Sequence, residues 1–195
     1  MASLLAGLLE RYGGPEPADE EPTQTKACVA RALVHYRLSQ SDGIPAALPP
    51  PHERVLIGSA GCAYNKEGLT KAGVTHIVCL CSSVRHCFPS EIIYLTPQVE
   101  LNDDGTVVAA EQFKASMGSI LRFISAALAE SLQHKVLIHC MQGVSRAPAI
   151  VQAWLQVEQG LSYDDARAAV FGARPSARPN PVFGALLRSL TSHAE

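Results

Sequence analysis

The sequence predicts an α/β fold, with helices covering both faces of a central mixed sheet of about four to five strands. Three observations point there. From His52 onward, short apolar, β-branched runs alternate with stretches of helical period. One of those runs, Lys135-Val136-Leu137-Ile138-His139, is continuously apolar, as a strand buried on both faces must be. Composition agrees: 195 residues, 47% hydrophobic and only 17% charged, describe one medium globular domain with length to spare.

Taken in order, Leu4, Leu5, Leu8, Leu9 and Tyr12 keep helical spacing, which predicts a short amphipathic helix over 2–12, ended by Gly13-Gly14-Pro15. An acidic, proline-bearing stretch follows as far as Thr25. Val29, Ala32, Leu33 and Tyr36 mark a second helix, and 39–51, with Pro45 and three successive prolines from Pro49, reads as a connector. Residues 1–51 are thus expected to form a helical extension and linker, and 52–195 the principal domain. Within it, 55–58, 75–80 and 92–95 read as strands. Lys66 to Ala72 reads as a helix that ends at Gly73, a natural C-cap. Asn102-Asp103-Asp104-Gly105 makes a polar loop. Phe113, Met117, Ile120, Leu121, Ile124 and Leu128 then hold helical period. Pro148 suits a first helical turn and opens a helix reaching Gly160, and Ser162-Tyr163-Asp164-Asp165 resembles a capping box.

The formal net charge of −2 gives no electrostatic case for nucleic acid or an anionic membrane as partner. The N-terminus lacks the basic region of a signal peptide and its apolar run is too short to span a bilayer, so no stable membrane insertion is expected. Ala2 leaves no site for a myristoyl group. Six cysteines (Cys28, Cys62, Cys79, Cys81, Cys87 and Cys140) without a secretory signal are expected as free thiols, in the cytoplasm or nucleus. His76, Cys79, Cys81, His86 and Cys87 invite a zinc reading, but the Cys-x-Cys spacing falls inside an apolar strand and not on a pair of knuckles. No metal and no cofactor are expected, and oligomeric state leaves no mark on the sequence.

The chemistry concentrates in His139-Cys140-Met141-Gln142-Gly143-Val144-Ser145-Arg146, between a buried strand and a helix N-terminus. Such a junction binds anions: unpaired backbone N–H groups point outward and the macrodipole adds about half a positive charge. Met141, Gln142, Gly143, Val144, Ser145 and Arg146 are therefore the expected phosphate-binding residues. Gly143 gives the turn its backbone freedom. Arg146 offers a planar fork for two phosphate oxygens. Cysteines at helix N-termini near cations ionise readily, which predicts Cys140 as a thiolate nucleophile under a ring of donors.

His-Cys-x5-Arg is the signature of the cysteine-dependent protein tyrosine phosphatase superfamily, and IHCMQGVSRAP resembles its dual-specificity branch. RVLIGSAGCA and LTKAGVTHIV are similar to that branch's N-terminal strands, LNDDGT to its general-acid loop, and RPSARPNPVF to the segment before its last helix. The resemblance covers about residues 52–192 and implies a small, atypical member with the phosphatase fold. It further implies Cys140 as nucleophile, Arg146 as phosphate clamp and His139 as a residue that helps hold the thiolate. Ser145 becomes a hydroxyl supporting the sulfur as leaving group, and Asp103 the general acid, with Asp104 adjacent as the alternative register. Ala147 departs from the pattern, which usually has Ser or Thr there.

Three functions follow from the resemblance. One is a protein phosphatase acting on phosphotyrosine and phosphoserine or phosphothreonine, with a phosphoprotein substrate as partner. Another is a phosphatase for a phosphoinositide or RNA end. Phosphoinositide-specific relatives usually carry lysines inside the loop, where Met141, Gln142 and Val144 bring no charge. The last is a phosphoprotein-binding scaffold, a class that typically lacks the cysteine.

Overall fold

A computed structural model describes residues 42–99 and 101–190. The helices expected over 2–12 and around Val29, Ala32, Leu33 and Tyr36 lie outside the described residues, as does Cys28.

The elements run β1 (Ala46–Ala47), β2 (Val55–Gly58), α1 (Ala60–Tyr64), α2 (Lys66–Ala72), β3 (His76–Cys79), β4 (Ile93–Leu95), α3 (Val107–Glu130), β5 (Val136–His139), α4 (Arg146–Val157), α5 (Tyr163–Ala173) and α6 (Pro181–Ser189). The sheet order is β1-β2-β5-β3-β4. β1 pairs antiparallel with β2, and the remaining pairs are parallel, so the sheet is mixed as expected. β5 is the central strand, with Leu137 opposite both Leu56 and Ile77. Its Val136, Leu137 and Ile138 are fully buried, which is why that run carries no polar alternation.

The pleat sorts side chains onto two layers. Val55, Ile57, Val78, Val136 and Ile138 join the larger core with residues of α3, α4 and α6, including Phe113, Ile150 and Phe183. Leu56, Ile77 and Leu137 point the other way, with Cys62 of α1 and Leu69 of α2. Helices thus cover both faces. Because β5 is inserted between β2 and β3, the chain reverses its winding there. The crevice at the carboxyl ends of these parallel strands is where such sheets bind ligands.

Local chemistry explains the element ends. Ser59, Asn65, Thr106, Ser162 and Asn180 each accept a backbone N–H at a helix start, and Gly73 closes α2 at φ 74°. Two expectations shift. The connector expected over 39–51 contains edge strand β1, and Leu48 is 2% exposed, so the packed unit begins earlier than residue 52. Two alanines between prolines carry no strand signal of their own. The short helix α1, with Gly61 inside it, has too few turns to show a period.

Candidate active site

The 140–146 loop leaves β5 at the crevice and enters α4. Its carbonyls are bound from outside one after another. Met141 O accepts Ala60 N at 3.0 Å and Val144 O accepts Arg178 N at 2.6 Å. Arg174 takes the two between, Nη2 donating to Gln142 O at 3.0 Å and Nε to Gly143 O at 2.7 Å. In a trans peptide the C=O and the next N–H point in opposite directions. Four outward carbonyls therefore turn the N–H groups of Gln142, Gly143, Val144 and Ser145 inward, an anion-binding nest. Gly143 N donates to the Cys140 sulfur at 3.2 Å. Gly143 itself has φ 68°, and a Cβ there would stand 2.6 Å from Gly58 O, so both conformation and space require glycine.

Cys140 is 2% exposed at the base of this cup. Arg146 is the first residue of α4, and its Nη1 is anchored to Leu80 O (3.3 Å) and Leu101 O (3.1 Å). Its Nε is buried without a hydrogen-bond partner among the described residues. A buried, unpaired donor costs about 1–3 kcal/mol, more for a charged group. An incoming oxyanion would relieve that cost.

Asp103 comes from the loop before α3 and meets the cup at its rim. Its Oδ1 accepts from Ser145 Oγ at 2.6 Å and from Asn180 Nδ2 at 2.7 Å, and Oδ2 lies 3.8 Å from Arg146 Nε. Asp104 is committed elsewhere: its Oδ1 accepts both Thr106 N (3.0 Å) and Thr106 Oγ1 (2.7 Å) at the start of α3. Those bonds hold the Asp104 carboxyl below its ordinary range.

The structure brings Cys140, Arg146, Asp103, Ser145 and the whole 141–146 loop together, with His139 directly behind it. Ser145 does not turn its hydroxyl to the sulfur: its single proton goes to Asp103, while its oxygen accepts Asn180 N at 3.1 Å. His139 sits behind the cup and contacts the backbone, with Nδ1 3.3 Å from Cys140 O. Burial pushes its pKa down to about 4, so the ring is neutral at neutral pH. Ala147 is fully buried and carries no donor. Burial pushes the thiols of Cys62 and Cys87 up to about 11 and that of Cys81 up to about 12.

Three residues escape the sequence reading. Arg174 binds two loop carbonyls and is itself held by the Asp42 carboxylate through Nη2, at 2.5 Å. Burial alone would raise the Asp42 carboxyl, but the bonds from Arg174 and Ser59 outweigh it and hold it below the usual range. Asn180 is used at both ends of its amide: Oδ1 caps α6 through Phe183 N at 2.9 Å, and Nδ2 reaches Asp103. Arg174 and Asn180 both lie inside RPSARPNPVF, where each reads as ordinary helix-end chemistry.

Among the described residues, one trio, His76, Glu130 and His134, has ligand atoms within 4.8 Å of one another and could hold a metal ion. His76 opens β3, at the end of the sheet away from the cup.

The family model described as dual specificity phosphatase, catalytic domain, matches residues 55–193. Dual specificity protein phosphatase 1 of Arabidopsis thaliana is 28% identical over 177 residues, covering 91% of this chain and 84% of that protein. Dual specificity phosphatase 28 of Homo sapiens is 33% identical over 150 residues, covering 75% of this chain and 81% of that protein. The crystal structure of human DUSP28 superposes with a TM-score of 0.62 at 27% identity, over 75% of this chain and 96% of that one. That of DUSP15 gives 0.67 at 24% identity, over 77% and 89%, a likeness of fold. A family match running through the sheet, the cup and the last helix leaves one conclusion: this chain belongs to the dual specificity phosphatases and is a protein phosphatase.

Proposed function

We propose that Cys140 is the nucleophile of this phosphatase and that the 141–146 amides with Arg146 bind the phosphoryl group throughout the reaction. The Cys140 sulfur attacks phosphorus as the bond to the leaving oxygen breaks, and Asp103 gives that oxygen its proton. Asp103, now a carboxylate, takes a proton from water as the water attacks phosphocysteine, and the S–P bond breaks to return the thiolate. Ser145 and Asn180 hold Asp103 at the rim, and His139 holds the loop from behind. The observation that carries this reading is the cup itself: outward carbonyls, inward amides, a sulfur receiving Gly143 N–H, and a buried guanidinium N–H with no acceptor among the described residues.

The substrates are phosphoproteins bearing phosphotyrosine and phosphoserine or phosphothreonine, in signalling. Free cysteines at Cys62, Cys79, Cys81, Cys87 and Cys140 support a cytoplasmic or nuclear setting. Among the described residues no helix is long and apolar enough to cross a membrane. The catalytic unit is assigned to the residues from Asp42 onward, with the preceding chain as an extension.

Release of phosphate from a panel of phosphopeptides, a phosphoinositide and phenyl phosphate, without added metal, tests the reading. Phosphopeptides and phenyl phosphate are expected to turn over, and Cys140→Ser to abolish turnover while still binding phosphopeptide. Clear residual activity in Cys140→Ser would end the thiolate mechanism.

A further inference from the structure

The long helix α3 ends at Glu130, and the chain returns to the sheet through His134 and Lys135. β3 opens beside that return at His76, whose partner on β5 is Val136. The fold thus gathers Glu130, His134 and His76 at one corner, with their ligand atoms within 4.8 Å of one another. Of the residues that invite a zinc reading in the sequence, His76 alone belongs to this group. The cup is at the other end of the same strands, where Cys79 pairs with His139, roughly 10 Å away at the strand rise.

Hydrogen bonding fixes which nitrogen of each ring is free. The Thr75 hydroxyl gives its one proton to Lys135 O at 3.1 Å and accepts Lys135 N at 3.0 Å. With that proton spent, its 2.9 Å contact with His76 Nδ1 requires the ring to donate. His134 Nδ1 lies 3.0 Å from Ala127 O, and a carbonyl can only accept, so this ring donates through Nδ1 as well. Each neutral imidazole therefore carries its lone pair on Nε2, and neither Nε2 has a hydrogen-bond partner among the described residues. The two rings stand 4.7 Å apart between centroids, and His76 is also in edge contact with Phe123. With the Glu130 carboxylate the corner holds three acceptor atoms, an arrangement that a cation completes. An Nδ1–H held by an oxygen is also what orients a metal-binding histidine and raises its basicity.

The surroundings suit a positive ion. α3 has 24 residues and no basic residue in its last turn, so the negative end of its macrodipole falls at this corner. Arg54 meets part of that charge by donating to Leu128 O and Ser131 O. Bonds of about 2.0–2.1 Å to a tetrahedral zinc ion would set the ligand atoms roughly 3.3 Å apart. The Glu130 side chain, 70% exposed, and the half-buried His134 ring can close the difference by rotation.

We propose that His76, His134 and Glu130 bind a divalent transition-metal ion of the zinc class, with water in the fourth position, tying the end of α3 to the start of β3. Two imidazoles and one carboxylate are a zinc-type donor set, too rich in nitrogen for calcium or magnesium. The ion stabilises the fold and takes no part at Cys140.

The experiment titrates Co²⁺, a spectroscopic stand-in for Zn²⁺, into the full chain carrying Cys140→Ser, so that the thiol of the cup cannot bind the probe. Saturable visible absorption is expected, with no sulfur-to-cobalt charge transfer in the near ultraviolet, and Zn²⁺ should displace it. In the same chain, Zn²⁺ at about a hundred times its Kd should raise Tm by about 5–10 °C. Glu130→Gln and His134→Gln replace the two outer ligands and leave the buried His76 in place. Each should weaken Co²⁺ binding at least about tenfold, the least that even an outer-shell partner is worth, and remove most of the rise in Tm. With Cys140 restored, both variants should hydrolyse phenyl phosphate at the parent rate in metal-free buffer, which shows them folded. Absence of saturable binding, binding kept in either variant, or a sulfur charge-transfer band overturns the site.

Discussion

Two loops form the catalytic cup, and they are held by different means. The 140–146 loop is fastened through four consecutive backbone carbonyls to Ala60, Arg174 and Arg178. The 101–105 segment has no backbone–backbone bond among the described residues. It rests on the anchor from Arg146 to Leu101 O, the bond from Asn102 N to Gln112 Oε1 (3.0 Å), and the two donors on Asp103. Beyond it, Gly105 has φ 73° and no neighbour within 4 Å of a Cβ position. The proposed nucleophile and its phosphate cradle are therefore built before substrate arrives, whereas the proposed acid is held by bonds that a small rearrangement can break. Preorganisation falls where charge develops on the phosphoryl group, and freedom where leaving groups differ in size.

Among changes that spare Cys140, the largest effect should come from removing the acid. Asp103→Ala is expected to lower kcat/KM by about 10²–10⁴ for poor leaving groups, the range for a general acid, and much less for good ones. The basic limb of the pH–rate profile should vanish with it. Asp104→Ala should leave both nearly intact, since Asp104 serves the cap at Thr106. The reverse result would exchange the two aspartates.

Breaking the other loop should look different. Arg174→Ala frees two carbonyls and strands the partly buried Asp42 carboxylate, so a loss of about 10²-fold in kcat/KM is expected, whatever the leaving group. Arg174→Lys should rescue little, because one ammonium cannot reproduce the fork. A loss confined to poor leaving groups would move Arg174 from the cradle to the acid loop. Rates measured with aryl phosphates of graded leaving-group acidity separate the two.

Asn180 joins the loops and gives the next effect. Asn180→Asp keeps an oxygen to cap α6 but replaces the donor to Asp103 with a like charge. About tenfold loss is expected for poor leaving groups, with the basic limb displaced upward in pH. In the Asp103→Ala background the same change should cost almost nothing, since the shared partner is gone.

The smallest effect on rate, though not on stability, concerns His139. Its pKa is about 4 in the fold against an ordinary 6.5, because burial disfavours the cation. The unfolded chain therefore binds the extra proton first as pH falls, and stability contributed by neutral His139 is lost between about 6.5 and 4. His76, also lowered by burial, acts in the same sense. His139→Asn should flatten the dependence of Tm on pH in that window. An unchanged slope would show that the ring is not neutral by burial.

Much of this was legible in the sequence. Strands with β-branched apolar runs, the long periodic helix, Gly73 and the Ser162 cap all declare themselves through nearest neighbours along the chain. So does the cup, because Cys140, Gly143 and Arg146 occur in one short stretch whose geometry is fixed locally. Asp103 was chosen through the likeness to the family's acid loop, with Asp104 as the alternative, and the bonds from Ser145 and Asn180 support that choice. Arg174 and Asp42 were not legible. Their meeting joins residues 132 apart, and an arginine after a helix has no signature until its acceptors are known. For Ser145 the resemblance implied a hydroxyl that supports the sulfur, and the carboxylate of Asp103 beside it is visible only in the fold.

The buried methyl of Ala147 has a consequence in time. With the Ser145 proton given to Asp103, the sulfur has Gly143 N–H as its hydrogen-bond donor among the described residues. One missing bond to a charged sulfur would slow its departure by about 10- to 100-fold, which predicts that hydrolysis of phosphocysteine limits the cycle. Rapid-quench kinetics should show a burst of product, shrinking in Ala147→Ser as steady turnover rises. No burst in the parent and no gain in the variant would refute it. On that prediction the working enzyme would be mostly phosphorylated, and a sulfur bonded to phosphorus cannot be oxidised. Substrate thereby protects the nucleophile, and peroxide should inactivate the resting enzyme faster than the busy one.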